Sequence, residues 1–144
     1  MQVNLHLCAV KKIKKRSDCP ISSALDIVGD KWSLLIIRDI MLKGKNTYNE
    51  FLNAEEKIAT NILADRLTML EEVGILLKEE HPESKAKYFY RLTRQGVDLL
   101  PVLVEMILWS EKYLKVSPLA KEFAKAVKKD REAVSKNILA GLKK

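Results

Sequence analysis

Histidine and cysteine are scarce in this chain: His6 and His81, Cys8 and Cys19, and no others among 144 residues. The two cysteines stand too far apart for a close pair of metal ligands, and the histidines complete no cluster, so neither a structural metal nor a cofactor is expected. Also missing is any apolar run of about 18 residues, the length of a membrane-crossing helix. The N-terminus lacks the basic region, apolar run and small-residue cleavage site of a secretory leader. A soluble, cytoplasmic protein with no membrane partner is therefore expected. No Ser-His-Asp set, P-loop, paired-acid cleft or metal cluster can be assembled, which argues against an enzyme. Internal repeats and low-complexity tracts are absent.

What is present is a hydrophobic content of 47% and a net charge of +7. The first is enough for one compact domain with a core. The second favours acidic partners on approach, nucleic acid being the usual one for a soluble chain. Charge by itself does not identify that partner. Residues 1–18 form a basic arm around Lys11-Lys12-Ile13-Lys14-Lys15-Arg16, either a solvated tail or a backbone-phosphate contact.

The apolar spacing of Ile21, Ala24, Leu25 and Val28 predicts a helix, with Gly29 placed to end it in a left-handed cap. Asp30 can cap a second helix running through Trp32, Leu35, Ile36 and Ile40 to Gly44. Thr47-Tyr48-Asn49-Glu50 is a capping box that opens a short helix from Tyr48 to Asn53. The helix from Thr60 to Val73 is the most informative, and Gly74 follows as its stop. Ile62, Leu63, Leu67, Met69, Leu70 and Val73 fall on one arc, while Thr60, Asn61, Ala64, Asp65 and Thr68 gather on the other. Arg66 lies within the inward arc, where a guanidinium needs a carboxylate partner.

Beyond Gly74 the period changes. Ile75 to Glu80 and Tyr88 to Leu92 predict two antiparallel strands, joined by a basic loop, His81 to Lys87. Thr93 can cap a long helix that continues past Pro101, with a kink there, to about Lys115. From Leu99 to Trp109 it is apolar almost all round, so it needs cover on more than one side, and a second subunit can supply it. Ser117-Pro118 opens a last helix to about Ala140, with an apolar stripe of Leu119, Phe123, Val127, Val134 and Ile138 among lysines. That narrow stripe suits packing against a dimer core better than lying on a membrane. The fold class expected is mainly α with a small β wing: a winged helix-turn-helix over residues 19–97, followed by a helical dimerisation region over residues 98–144.

Several short signatures occur in one order: Cys19-Pro20, Gly29-Asp30-Lys31-Trp32, Tyr48-Asn49-Glu50-Phe51, Ile58 to Leu67, Leu70-Glu71-Glu72-Val73-Gly74, Tyr90-Arg91-Leu92-Thr93 with Gly96, and Pro101-Val102 with Trp109. Together they resemble the HxlR-type family of bacterial transcriptional regulators over about Cys19 to Tyr113. The resemblance implies a homodimer on a palindromic or pseudo-palindromic operator in double-stranded DNA, with the helix near Trp109 and the N-terminal segment forming the interface. Leu103, Met106, Ile107, Trp109 and Tyr113 are the interface candidates. It also implies that Cys19 can sense oxidants or electrophiles, as the matching cysteine does in some members. The nearby basic stretch and following helix N-terminus favour its thiolate, and a buried inert cysteine is the alternative. A small-molecule or oxidant effector is thus admitted without being identified.

A helix in the major groove reads bases near its N-terminal end. Thr60, Asn61, Ala64, Asp65 and Thr68 are accordingly the base-contact candidates: Asn61 for adenine, Asp65 for a cytosine amine, Ala64 for a thymine methyl. Lys85 and Lys87 on the wing, and Lys31 before the second helix, are candidates for phosphate or minor-groove contact. Trp32 is expected in the core. Ala59 departs from the family pattern, where many relatives carry a serine able to cap the recognition helix, and the helix after Ser117 lies beyond the family core. The rival reading keeps the fold as an interaction module for protein or RNA.

Overall fold

The structure, a computed structural model, describes residues 13–142. His6, Cys8 and the Lys11-Lys12 part of the basic arm lie outside the described residues. Two compact units divide the chain between Gly96 and Val97.

The first unit opens with α1 (Pro20–Val28), whose proline sits in the first turn, where its missing N–H costs nothing. Gly29, expected as a left-handed cap, has instead φ −80° and ψ −10° and donates its amide to the Leu25 carbonyl. Close approach is the reason for glycine here: a Cβ would stand 2.3 Å from the Leu25 carbonyl oxygen. The left-handed conformation is found at Gly44 (φ 65°) and Gly74 (φ 86°). Before α2 (Ser33–Lys43), the Asp30 carboxylate accepts from the amides of Trp32 and Ser33, both at 2.9 Å, and from the Ser33 hydroxyl. Thr47 opens α3 (Tyr48–Leu52) by accepting from the Glu50 amide. Glu50 reaches back to the Thr47 hydroxyl (2.8 Å), so the box closes between side chains.

Helix α4 (Thr60–Glu72) buries Leu63, Leu67 and Leu70, with Val73 buried just past its end, and packs against α3 and the first strand of the hairpin that follows. Ile62, at the edge of the predicted inward arc, is exposed. The hairpin pairs β1 (Leu76–His81) with β2 (Ser84–Leu92) antiparallel, from Leu76↔Leu92 to Glu80↔Tyr88. The register then steps to His81↔Ser84, leaving residues 85–87 opposite no residue of β1. The predicted seven-residue loop is therefore wrong: only Pro82 and Glu83 separate the strands, and Lys85 and Lys87 belong to an irregular stretch of β2. Apolar alternation stops at Tyr88, but the strand continues through an irregularity that leaves extra residues without a partner, as a bulge does. Two links fasten the hairpin to the helices. The Tyr90 amide donates to the Asn46 carbonyl (2.8 Å), and the Tyr90 ring meets Phe51 edge-on at 6.0 Å.

The Thr93 hydroxyl donates to the carbonyls of Gly74 and Ile75 and accepts from the Gly96 amide, which starts the short α5 (Arg94–Val97). The long helix expected from Thr93 to Lys115 is broken, not kinked. Helix α6 (Leu100–Tyr113) begins afresh with Pro101 in its first turn, because a proline ring cannot follow an unbroken turn of helix but fits the start of a new one. In the second unit α6 packs on α7 (Pro118–Lys129), which Ser117 caps by accepting from the Ala120 amide. Ion pairs Lys128–Glu111 (3.1 Å) and Arg131–Glu105 (2.6 Å) tie helices of this unit together. The single last helix expected to reach Ala140 is two helices. Asp130 is extended (φ −158°, ψ 91°) and its carboxylate caps α8 (Arg131–Leu142) by accepting from the Ala133 amide at 3.1 Å. No helix among the described residues is long and apolar enough to cross a membrane.

Candidate nucleic-acid interface

Helix α4 turns a continuous polar surface outward. Thr60, Asn61, Ala64, Asp65 and Thr68 are all exposed, and Leu63, Leu67 and Leu70 anchor the opposite side. Its N-cap, Ala59, supplies no side-chain acceptor. The positive end of the helix dipole lies here, with no side chain capping it. The position of this end is fixed from α3, since the Tyr48 hydroxyl donates to the Thr60 carbonyl at 3.1 Å. A tyrosine acting twelve residues away leaves no sequence pattern, and its role had gone unassigned.

Arg66 carries an ion-pair network that couples α4 to the start of α2. Its guanidinium bonds Asp65 at 2.5 Å and lies 3.6 Å from Asp30, with a quarter of the side chain exposed. The hydrogen bond to Asp65 is the main cause that raises its pKa. On Asp30, burial pushes the pKa upward, but the Ser33 hydroxyl, the Trp32 and Ser33 amides and the Arg66 charge together hold it below its ordinary value. Asp65 thus faces outward with its Oδ2 engaged by Arg66.

A half-open cleft beside this edge is lined by Thr47, Tyr48 and Asn49 from the α3 side and by Ala86, Lys87, Tyr88 and Tyr90 from the wing. Through Tyr48 it joins the Thr60 end of α4, which brings Lys87, an exposed side chain, to the same edge. Lys85 shares the irregular stretch of β2 with Lys87. Lys31 is exposed at the start of α2, its ammonium 5.0 Å over the half-buried Trp32 ring.

Two further expectations concern other surfaces. Cys19 is a free, exposed thiol at the N-cap of α1, not a buried one. On α6, Met106, Trp109 and Tyr113 are exposed, with Trp109 and Tyr113 in ring contact at 5.5 Å, and Ile107 is half-buried. Leu103, by contrast, is buried, at 6% exposed. Helical spacing puts Leu103 beside Leu100 and Val104, whereas the exposed row runs Val102, Met106, Trp109, Tyr113. Among the described residues no group of three or more histidine, cysteine or acidic side chains could hold a metal.

Known proteins agree with this architecture. The HxlR-like helix-turn-helix family matches residues 27–118. YdeP of Bacillus subtilis (strain 168), an uncharacterized HTH-type transcriptional regulator, is 36% identical over 95 residues, 66% of this chain and 73% of its own. Among solved structures, PA1607 superposes with a TM-score of 0.63 at 38% identity, covering 72% of this chain and 71% of that one. The redox regulator HypR in its oxidized form gives 0.60 at 32% identity, covering 68% of this chain and all (100%) of HypR. The chain belongs to the HxlR-like helix-turn-helix family and is a DNA-binding transcriptional regulator, not an enzyme.

Proposed function

We propose that the protein acts in the cytoplasm as a homodimer on an operator of two-fold symmetry, with residues 19–97 as the reading head, residues 98–144 as the pairing region and residues 1–18 as a basic arm. The observation that carries this reading is the outward polar edge of α4, from Thr60 to Thr68, at a helix start whose cap residue has no acceptor of its own. Thr60, Asn61, Ala64, Asp65 and Thr68 contact bases, Asn61 pairing with adenine. Lys31, Lys85 and Lys87 contact phosphates. The exposed row Met106, Trp109 and Tyr113 supports pairing of two copies, because a soluble protomer seldom leaves so much aromatic and apolar surface on one helix face. An operator read by two copies related by a dyad mirrors that symmetry, with half-sites one duplex turn or a multiple apart.

Selection from a random pool of duplex DNA at fixed salt tests the reading. The expected product is an inverted repeat, and Asn61→Ala relaxes the preference at one position in each half while leaving binding to arbitrary duplexes unchanged. Enrichment of no motif would refute it.

Cys19 is proposed as the point where an oxidant or electrophile acts, supported by its exposure and by the relative named as a redox regulator. Under native conditions a thiol reagent should label Cys19, and the modified protein should lose operator affinity that Cys19→Ser retains. An unlabelled Cys19, or labelling without effect on affinity, removes the sensor role.

A further inference from the structure

The net charge of +7 is very unevenly placed. From Cys19 to Val97, the part containing the helix-turn-helix and wing, 11 lysines and arginines stand against 12 aspartates and glutamates. Residues 117–144 hold eight basic side chains against three acidic, and residues 1–18 five against one. The reading head therefore brings no excess positive charge to a polyanion. Sequence-independent attraction to duplex DNA comes from neutralising phosphates, and in this chain the excess of positive charge lies in the two flanks.

The C-terminal flank is folded, and α7 gives its charge a geometry. Ala120, Phe123, Ala124 and Val127 occupy one side, with Ala124 and Val127 fully buried. At 100° per residue, Lys121, Lys125, Lys128 and Lys129 occupy the neighbouring arc, and all four are exposed. Lys128 is held by Glu111. Among the described residues no carboxylate pairs with Lys121, Lys125 or Lys129. These three recur every fourth residue, a rise of about 6 Å per step, close to two base-pair steps of a duplex strand at ~3.4 Å each. The family match ends at residue 118, where α7 begins, so this face is an addition to the shared fold.

We propose that the lysine face of α7 is a second DNA contact, a sequence-independent seat for duplex phosphates, resting on the reading of the protein as a DNA-binding regulator. A membrane surface fits less well. A helix lying on lipid needs a free apolar face to insert, and α7 spends its apolar side inside its own unit, with Leu119 the exception at 76% exposed.

The test uses full-length protein and a duplex of arbitrary sequence, with binding followed by fluorescence anisotropy across a potassium chloride series. The K121Q/K125Q/K129Q variant should keep its fold by circular dichroism, since all three side chains are exposed. Its plot of log affinity against log salt should flatten by about 2 to 3 per protomer, at ~0.9 per lost phosphate contact. Affinity at low salt should drop at least about tenfold, equally for operator and arbitrary duplexes, and K121R/K125R/K129R should bind like the parent. Unchanged affinity and slope in a folded glutamine variant would overturn the proposal. Parent protein that binds no duplex at any salt would instead overturn the DNA-binding reading, and this contact with it.

Discussion

The Tyr48 hydroxyl donates to the carbonyl of Thr60 across 3.1 Å, joining the first residue of α3 to the first residue of α4. The bond leaves the outward side chains of α4 untouched while fixing where their helix begins. Position and chemistry at this edge thus come from different elements: α3 holds it, and α4 supplies its exposed polar groups.

Tyr48→Phe keeps the ring and removes the hydroxyl. Loss of one partly exposed hydrogen bond should cost about 1 kcal/mol in urea unfolding. Operator affinity should fall several-fold through a looser α4 start, measured by anisotropy. A variant with parental affinity would show that α4 is positioned without this bond.

Glu56 provides a pH signature. The Arg38 guanidinium bonds it at 2.7 and 3.0 Å and also bonds the buried Asp39. That hydrogen bond, outweighing desolvation and assisted by the Glu56 amide and the Lys43 charge, holds the Glu56 carboxyl down to about 2 from an ordinary 4.5. A carboxyl whose pKa is lower folded than unfolded stabilises the fold above its unfolded value, and that contribution disappears as pH falls through the folded one. Stability should therefore decline between 4.5 and about 2, and Glu56→Gln should flatten the decline in urea midpoints over that window. Equal slopes for the two proteins would remove Glu56 as its source.

Trp109 is 59% exposed beside Tyr113 at 61%. Trp109→Lys places a charge in the proposed pairing surface, and a central aromatic there is worth ~2 kcal/mol or more. Sedimentation should report a dimer for the parent and at least about a thirtyfold weaker association for the variant. A monomeric parent would count against the pairing region itself.

Gly96 has no room for a side chain: a Cβ would lie 2.6 Å from the Ile75 carbonyl oxygen and 2.8 Å from a Leu92 methyl. Gly96→Ala should cost about 1–3 kcal/mol by overpacking, seen as a lower thermal midpoint. An unchanged midpoint would mean that the turn joining wing and α5 relaxes freely.

Several helices were legible in the sequence because their signals are local. Leu63, Leu67 and Leu70 declare a buried face by spacing alone, and Asp30, Thr47 and Ser117 mark helix starts within three residues of the amides they cap. Where local signals conflicted, the sequence was misread. Pro101 admitted a kinked helix or a new one, and Asp130 looked like one more polar residue in a helical run until its backbone proved extended.

The chain by itself thus determined the buried row of α4 and the side-chain caps that start α2, α3 and α7, since these follow from a repeat of 3.6 residues and from contacts within three residues. Tertiary structure alone decided what joins elements distant in sequence. It placed Tyr48 under Thr60 and Arg66 toward Asp30, continued β2 through Lys85 and Lys87 with a step in register, and buried Leu103 while leaving Met106 and Trp109 outside. Those relationships depend on how packed elements meet in space, and a one-dimensional pattern carries no record of distances between segments until packing sets them.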